Sequence, residues 1–213
     1  MTFHIITIFP KMFEGFLAHG VLAQAIKKGI IKVKVINLRD FAQGRHKTTD
    51  ERPYGGGPGM VMKAEPILKA VKSIKTKKPK IIVFSPRGKM FTNKIADIYQ
   101  KKHKDIILIC GRYEGIDARV KKILKAEEVS IGNYVLSGGE VPAMALVDAV
   151  ARRVPGVLHK LESIEEKRTA SAEVYTRPEI LKWGKKTYRT PKVLLTGHHG
   201  NIEEWRRKSR KRL

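Results

Sequence analysis

Asp105-Ile106-Ile107-Leu108-Ile109-Cys110-Gly111-Arg112-Tyr113-Glu114-Gly115-Ile116-Asp117 runs from an uninterrupted apolar strand straight into a loop bracketed by glycines. An apolar run without polar alternation marks a strand buried on both faces, as in parallel sheets. Further strands are predicted at Phe3 to Phe9, stopped by Pro10, at Ile31-Lys32-Val33-Lys34-Val35-Ile36, and at Lys80 to Phe84, broken by Ser85-Pro86-Arg87-Gly88. Between them, helical spacing appears over Met12 to Lys28, closed by Gly29, over Pro66 to Ser73 and over Thr92 to Lys102. A further helix is predicted over Pro142 to Arg152, ended by Val154-Pro155-Gly156, while Leu38 to Glu51 reads as a polar loop. Strands alternating with helices predict an α/β fold, a mostly parallel sheet with helices on both faces. Ligand-binding loops then belong at the carboxyl ends of the strands.

The 213 residues suffice for one good-sized domain or for one domain with a small appendage, and 42% apolar residues allow a buried core. Lys and Arg number 44 against 20 Asp and Glu, a formal charge of +24. Such a surplus favours a polyanionic partner, because each phosphate neutralised releases condensed counterions; a solvated lysine-rich surface is the competing reading. An acidic membrane surface would call for a basic amphipathic helix with large apolar anchors, and none stands out. The single cysteine, Cys110, excludes an intrachain disulfide and a thiolate metal site, and fits a reducing compartment. Met1 to Pro10 does not read as a secretory signal, and no apolar run approaches membrane-spanning length. A soluble cytoplasmic protein is expected. From His159 to Val174 the chain turns polar and charged without a period, as a linker or loop would, and the basic segment from Tyr175 onward is too short for a core of its own.

Three glycine-bearing loops carry the chemistry. Asp50 to Met60 holds Gly55, Gly56, Gly57 and Gly59, bare backbone that suits close approach by a ligand or simply a flexible surface loop. Lys63 follows, but spacing and neighbours exclude a phosphate-binding loop. Gly111 to Asp117 places a stacking face, Tyr113, beside a carboxylate, Glu114, that could hold an ammonium group; acidic residues complementing a helix N-terminus are the alternative. Ser130 to Glu140 alternates apolar side chains with glycines, as in a slot for a flat ring or in a strand with a tight turn.

Taken in order, these loops resemble the bacterial tRNA (guanine-37-N1)-methyltransferase family, the TrmD type of knotted SPOUT methyltransferases. The resemblance runs from Ile5 to about Arg206 and rests on Ile8-Phe9-Pro10 with Phe13, Arg39-Asp40-Phe41, Asp50 to Met62 with Glu65-Pro66, and Ser85 to Gly88. Gly111 to Asp117, Ser130 to Glu140 with Pro142-Ala143-Met144, Val154 to Leu158, Tyr175 to Glu179 and Val193 to His198 complete it. It implies a deep trefoil knot in the C-terminal part of the catalytic domain, which general topology would not suggest, and a short C-terminal helical extension. It implies a domain over 1–158, an interdomain loop over 159–174 and a truncated basic tRNA-binding segment over 175–213. It also implies S-adenosylmethionine as donor, magnesium in catalysis, a homodimer with sites built from both chains, and a tRNA guanine flipped from the anticodon loop. Carried over by position, the donor pocket is Phe84, Ser85, Gly111, Tyr113, Glu114, Ile131, Gly132, Tyr134, Leu136, Gly138, Gly139 and Pro142. Arg152 takes the place of the arginine that faces the guanine O6, and Asp50 and Gly59 belong to the loop that approaches the base.

Removing the N1 proton of guanine calls for a general base. Counted from Arg152 and Pro155 to Leu158, the family's catalytic aspartate falls on Lys167, within Glu165-Glu166-Lys167-Arg168-Thr169. A protonated lysine cannot act as that base, and acidic neighbours raise its pKa. Glu166 is taken as the base, its extra methylene offsetting a displacement of one residue. Glu173, reaching from the other side of a shortened loop, and a tRNA-binding protein of poor turnover are the alternatives. A ribose 2′-O-methyltransferase of the same fold is a further rival, against which the Tyr54-to-Gly57 loop and the Gly111-to-Asp117 motif argue. Arg206 to Leu213 form a dense basic tail suited to phosphate contact, with a solvated terminal run as the competing reading. His46, His198 and His199 match no structural zinc spacing, so no metal site is expected.

Overall fold

A computed structural model describes residues 1–158 and 173–208. The chain divides into two compact units, Met1–His159 and Lys160–Leu213. The first runs β1 (Thr2–Thr7), α1 (Glu14–Ala18), α2 (Gly20–Lys27), β2 (Lys32–Asn37), β3 (Asp50–Glu51), β4 (Val61–Met62) and α3 (Ala64–Ser73). It continues with β5 (Lys80–Met90), α4 (Asn93–Lys102), β6 (Asp105–Ile109), α5 (Ala118–Leu124), β7 (Glu127–Ser130) and α6 (Glu140–Ala151).

The main sheet has five strands in the order β2-β1-β6-β5-β7, every pairing parallel. Period-two alternation assigns its faces. Phe3, Ile5, Ile106 and Leu108 pack with Leu22 and Ala25 of α2, Ile95 and Tyr99 of α4, and Leu146, Val147 and Val150 of α6. Ile6, Ile107 and Ile109 turn the other way, against Ile67 and Ala70 of α3 and Val120 of α5. Both faces are therefore covered, which is why these strands carry so few polar residues. In α6 the buried set Ala143, Leu146, Val147, Val150 and Ala151 follows helical spacing.

Several elements depart from the sequence expectation. The helix predicted over Met12 to Lys28 is a 3-10 turn at Pro10–Phe13 followed by α1 and α2. The break lies at His19, which is extended, and Gly20, whose φ of 71° is a left-handed conformation suited to glycine. The polar loop over Leu38 to Glu51 opens with a 3-10 turn that buries Leu38 and closes with β3. Neither α5 nor β7 was predicted as an element in its own right. Lys80 to Phe84 is only the first half of β5: Phe84 and Lys89 both pair with Val129, so residues 85–88 bulge out of the strand. Thr92 caps α4, its Oγ1 accepting from the Ile95 N–H at 3.4 Å.

In the second unit, β8 (Ile180–Trp183) and β9 (Lys186–Arg189) form an antiparallel hairpin. A 3-10 turn at Lys192–Leu195 and α7 (His199–Lys208) follow, and the Tyr175 and Trp205 rings lie 6.3 Å apart. Among its described residues none is buried; Val193, Leu194, Ile202 and Trp205 are half-buried. That matches a segment too small to close a core alone. The α7 helix answers the helical extension, while the hairpin was not foreseen.

The return of the bulge into β5 depends on Gly88, where an added Cβ would stand 2.6 Å from the Val129 backbone nitrogen. Backbone cannot swing aside as a side chain can. Gly88→Ala is expected to lower stability by about 1–3 kcal/mol, read from the urea midpoint of unfolding. Gly15→Ala, with open space around its Cβ position, should not.

Candidate active site

A cleft of about 650 Å³ opens where β6 and β7 end and β5 bulges, within the size range of small-molecule sites. Its walls are the bulge after Phe84, the loop after β6 and the loop from β7 to α6. Every residue carried over for the donor lines it: Phe84 and Ser85 from β5 and its bulge, Gly111, Tyr113 and Glu114 from the second wall, Ile131, Gly132, Tyr134, Leu136, Gly138 and Gly139 from the third, and Pro142 from α6. The walls touch through bare backbone. The Gly139 N–H donates to the Gly111 carbonyl at 2.8 Å, and Arg112 bridges to Gly138. A Cβ on Gly139 would meet the Cys110 Cα at 2.7 Å, so glycine is required for that approach. Gly132 lies under the Tyr134 ring, whose hydroxyl donates to the Ile131 carbonyl at 3.3 Å.

Beneath the walls lies a buried polar network. Glu140, wholly buried in the first turn of α6, accepts from the Thr7 hydroxyl at 2.7 Å and from the Arg112 Nε at 2.9 Å. Thr7 Oγ1 in turn accepts from the Phe9 N–H at 2.9 Å. The Arg112 guanidinium also donates to the Ser137 carbonyl at 3.2 Å and lies over the Phe9 ring, 4.7 Å from its centroid. Sequence reasoning missed Thr7, Arg112 and Glu140 as individuals. Thr7 hides in an apolar strand; the acid after Gly138-Gly139 is an ordinary helix-start signal, and only the fold gives it a partner. Burial foremost, and then the Glu140 charge, push the Cys110 thiol well above its usual pKa, so it stays protonated and inert.

The glycine-rich loop is the turn of the β3–β4 hairpin, pinned to the cleft's second wall. Glu114 N–H donates to Met60 O at 3.0 Å, Met62 N–H to Gly115 O at 2.9 Å, and Asp117 N–H to Met62 O at 3.0 Å. A Cβ on Gly59 would stand 2.6 Å from Glu114 Oε1, so this loop reaches the cleft's edge without lining it. Asp50 sits half-buried in β3 opposite Met62, also outside the cleft. Asp117 caps α5, and its hydrogen bonds from Arg119 hold its carboxyl below the ordinary value.

The two neighbouring arginines after α6 differ. Arg153 is buried, its Nε 2.9 Å from Asp97 Oδ1 and its Nη2 donating to Asn93 Oδ1 at 3.0 Å, which ties α6 to α4. Arg152 is half-buried at the C-cap. Gly139, before the first turn of α6, lines the cleft, whereas Arg152 lies past its last turn; 12 residues of helix separate them, about 18 Å. The structure does not bring Arg152 to its own chain's cleft. Glu166 and Lys167 lie outside the described residues. Among the described residues no three or more His, Cys, Asp or Glu side chains gather as a metal site would require.

Arg112→Ala would leave the Glu140 carboxylate buried and without its cationic partner. Urea unfolding should show a loss of about 3–5 kcal/mol. Arg119→Ala, which removes an exposed pair with Asp117, should leave the midpoint nearly unchanged.

The family model described as tRNA (Guanine-1)-methyltransferase TrmD matches residues 1–213. Proteins named tRNA (guanine-N(1)-)-methyltransferase are similar throughout. That of Dictyoglomus turgidum is 50% identical over 96% of this chain and 82% of its own length. That of Carboxydothermus hydrogenoformans is 46% identical over 98% and 82%, and that of Clostridioides difficile 42% identical over 97% and 91%. With its glycine-walled cleft at the carboxyl ends of a parallel sheet, the chain belongs to the tRNA (guanine-1)-methyltransferase TrmD family.

Proposed function

We propose that this protein transfers the methyl group of S-adenosylmethionine to N1 of guanine 37 in the tRNA anticodon loop. The observation that carries the reading is the convergence of the carried-over donor residues on one cleft. The names of the relatives at 42% to 50% identity point to the same reaction, and the charge of +24 suits a tRNA substrate. Residues 1–158 form the catalytic domain, 159–174 the interdomain loop and 175–213 the tRNA-binding segment. The trefoil knot belongs to this proposal; the backbone contact of Gly139 with Gly111, and the Arg112 bridge to Gly138, are what closely threaded loops require. Among the described residues no helix is long and apolar enough to cross a membrane, and a tRNA substrate is consistent with a cytoplasmic enzyme.

The cleft fits the donor on its own chemistry. Gly138 and Gly139 line the cleft with peptide edges that a flat ring can meet, Phe84, Ile131, Leu136 and Pro142 supply apolar contact, and the Glu114 carboxylate suits the donor's ammonium group. When bound, S-adenosylmethionine supplies a methyl group on a sulfonium sulfur, which leaves with the bonding pair as guanine N1 forms the new bond. The protein does the rest. Glu166 accepts the N1 proton, and Arg152 stabilises the negative charge that spreads to O6. Asp50 and Gly59, on the hairpin beside Glu114, hold the flipped base.

Arg152 stands a helix length from the cleft of its own chain, and this supports a homodimer in which Arg152 serves the partner's cleft. The non-catalytic alternative rested on Lys167 and gains nothing from the names of the relatives.

Labelled donor should methylate unmodified tRNA with guanine at 37 and not the same tRNA with adenine there. No label with guanine, with donor and tRNA bound and magnesium present, rejects the reading. Glu166→Gln should cut kcat by about 10²–10⁴ at constant donor affinity; an unchanged rate removes Glu166 as the base. Mixing an inactive Arg152→Ala protein with an inactive Gly139→Val protein should restore about a quarter of wild-type activity through mixed dimers. No restoration would place arginine and cleft in one chain.

A further inference from the structure

The second unit carries an exposed face of its own. In the β8–β9 hairpin, Leu181 pairs with Tyr188 and Trp183 with Lys186, and strand alternation puts these four side chains on one face. All eight residues of the two strands are exposed, Trp183 by 77%. Isolated two-stranded hairpins are marginal in water, and a solvent-facing tryptophan, tyrosine and leucine together mark an interaction surface.

The charge says which partner fits. Between Arg177 and His198 the chain holds Arg177, Lys182, Lys185, Lys186, Arg189 and Lys192 against a single acid, Glu179. Among the described residues no carboxylate pairs with Lys182, Lys185, Lys186 or Arg189. Aromatic side chains interleaved with lysine and arginine match unpaired nucleotides, whose bases stack while cations meet the phosphates. Trp183 and Tyr188 are diagonal neighbours in the register, a relation that spans about 7–8 Å in an antiparallel pair. Two ring-to-base contacts of about 3.5–4 Å each span the same distance.

We propose that the β8–β9 hairpin is a stacking clamp that takes one unpaired base of the tRNA substrate between Trp183 and Tyr188, with Lys185 and Lys186 on the adjoining phosphates. The inference rests on the proposed tRNA reaction and deepens it, adding a recognition point separate from the methylated guanine. The clamp contributes binding and leaves the chemical step alone. Gly184, at φ 58° in the two-residue turn, sets the hairpin tight.

The probe is the full-length chain titrated with unmodified tRNA carrying guanine at 37. The chain has two tryptophans, and Trp205 packs near Tyr175, so stacking at Trp183 should quench part of the fluorescence. Trp183→Phe should lose most of that quench yet keep tRNA affinity, since phenylalanine still stacks. Trp183→Ala and Tyr188→Ala should each weaken tRNA binding about tenfold, raising KM for tRNA while kcat and KM for the donor hold. Paired Lys185→Gln and Lys186→Gln should flatten the salt dependence by about one to two phosphates.

Unchanged tRNA affinity in Trp183→Ala overturns the clamp. So does an oligomer that dissociates in Trp183→Ala at unaltered tRNA affinity, which would assign the face to a second copy of the chain. The two proposals fail separately. Quenching by tRNA without methyl transfer keeps the clamp and rejects the reaction, and normal transfer by Trp183→Ala at wild-type KM does the reverse.

Discussion

The buried Arg112–Glu140 pair joins pieces that no single element could hold together. Glu140 opens α6, Arg112 belongs to the loop after β6, and Thr7 ends β1. Their shared hydrogen bonds bring three chain segments, far apart in sequence, to one point below the cleft. Burying a carboxylate is costly unless its oxygens are satisfied, and here one accepts from a hydroxyl and the other from a guanidinium. Half-satisfied, this network would be worse than an apolar core. Fully satisfied, it admits one relative placement of the loop from β7 to α6, and the glycine contacts of Gly139 and Gly111 follow from that placement.

The cleft's character follows from the same constraint. Its walls are peptide backbone at close range, so a ligand meets fixed donors and acceptors on rigid loops, the arrangement that preorganised sites use. Charge is segregated around it. The Arg112 cation is consumed by Glu140, Asp117 by Arg119, and Glu128 by Lys121 at 2.6 Å, which leaves Glu114 as the carboxylate at the hairpin edge. Helix α6 then acts as a rod, with the cleft at its N-terminal end and the arginine pair at the other. Arg153 is used to brace that end against α4, and Arg152, beside it, is half-buried at the C-cap.

Much of the fold was legible because burial on both sheet faces writes itself into composition. Phe3 to Phe9, Lys80 to Phe84 and Asp105 to Cys110 read as strands on apolar content alone, and α3, α4 and α6 on spacing. The break at His19 and Gly20 was not legible, because the apolar spacing runs on across it while the backbone does not. Strand β7 was hidden because Glu127 and Glu128 open it, one paired with Lys80 and the other with Lys121, so its polar residues resemble a loop. For the hairpin β8–β9 the lysines obscured a strand pattern that Trp183 and Tyr188 otherwise carry.

By itself the sequence determined the layer type, the strand ends at which a ligand cleft would form, the glycines that wall it, and through family motifs the residues that line it. These are properties of local composition and order, which a linear chain displays directly. Tertiary structure alone decided which charges are buried and with whom, that Arg153 braces a helix while Arg152 caps it, and that Arg152 lies a helix length from its own cleft. Those facts depend on distances between residues remote in sequence. Spacing along the chain does not encode such distances; packing of α6 on the sheet does.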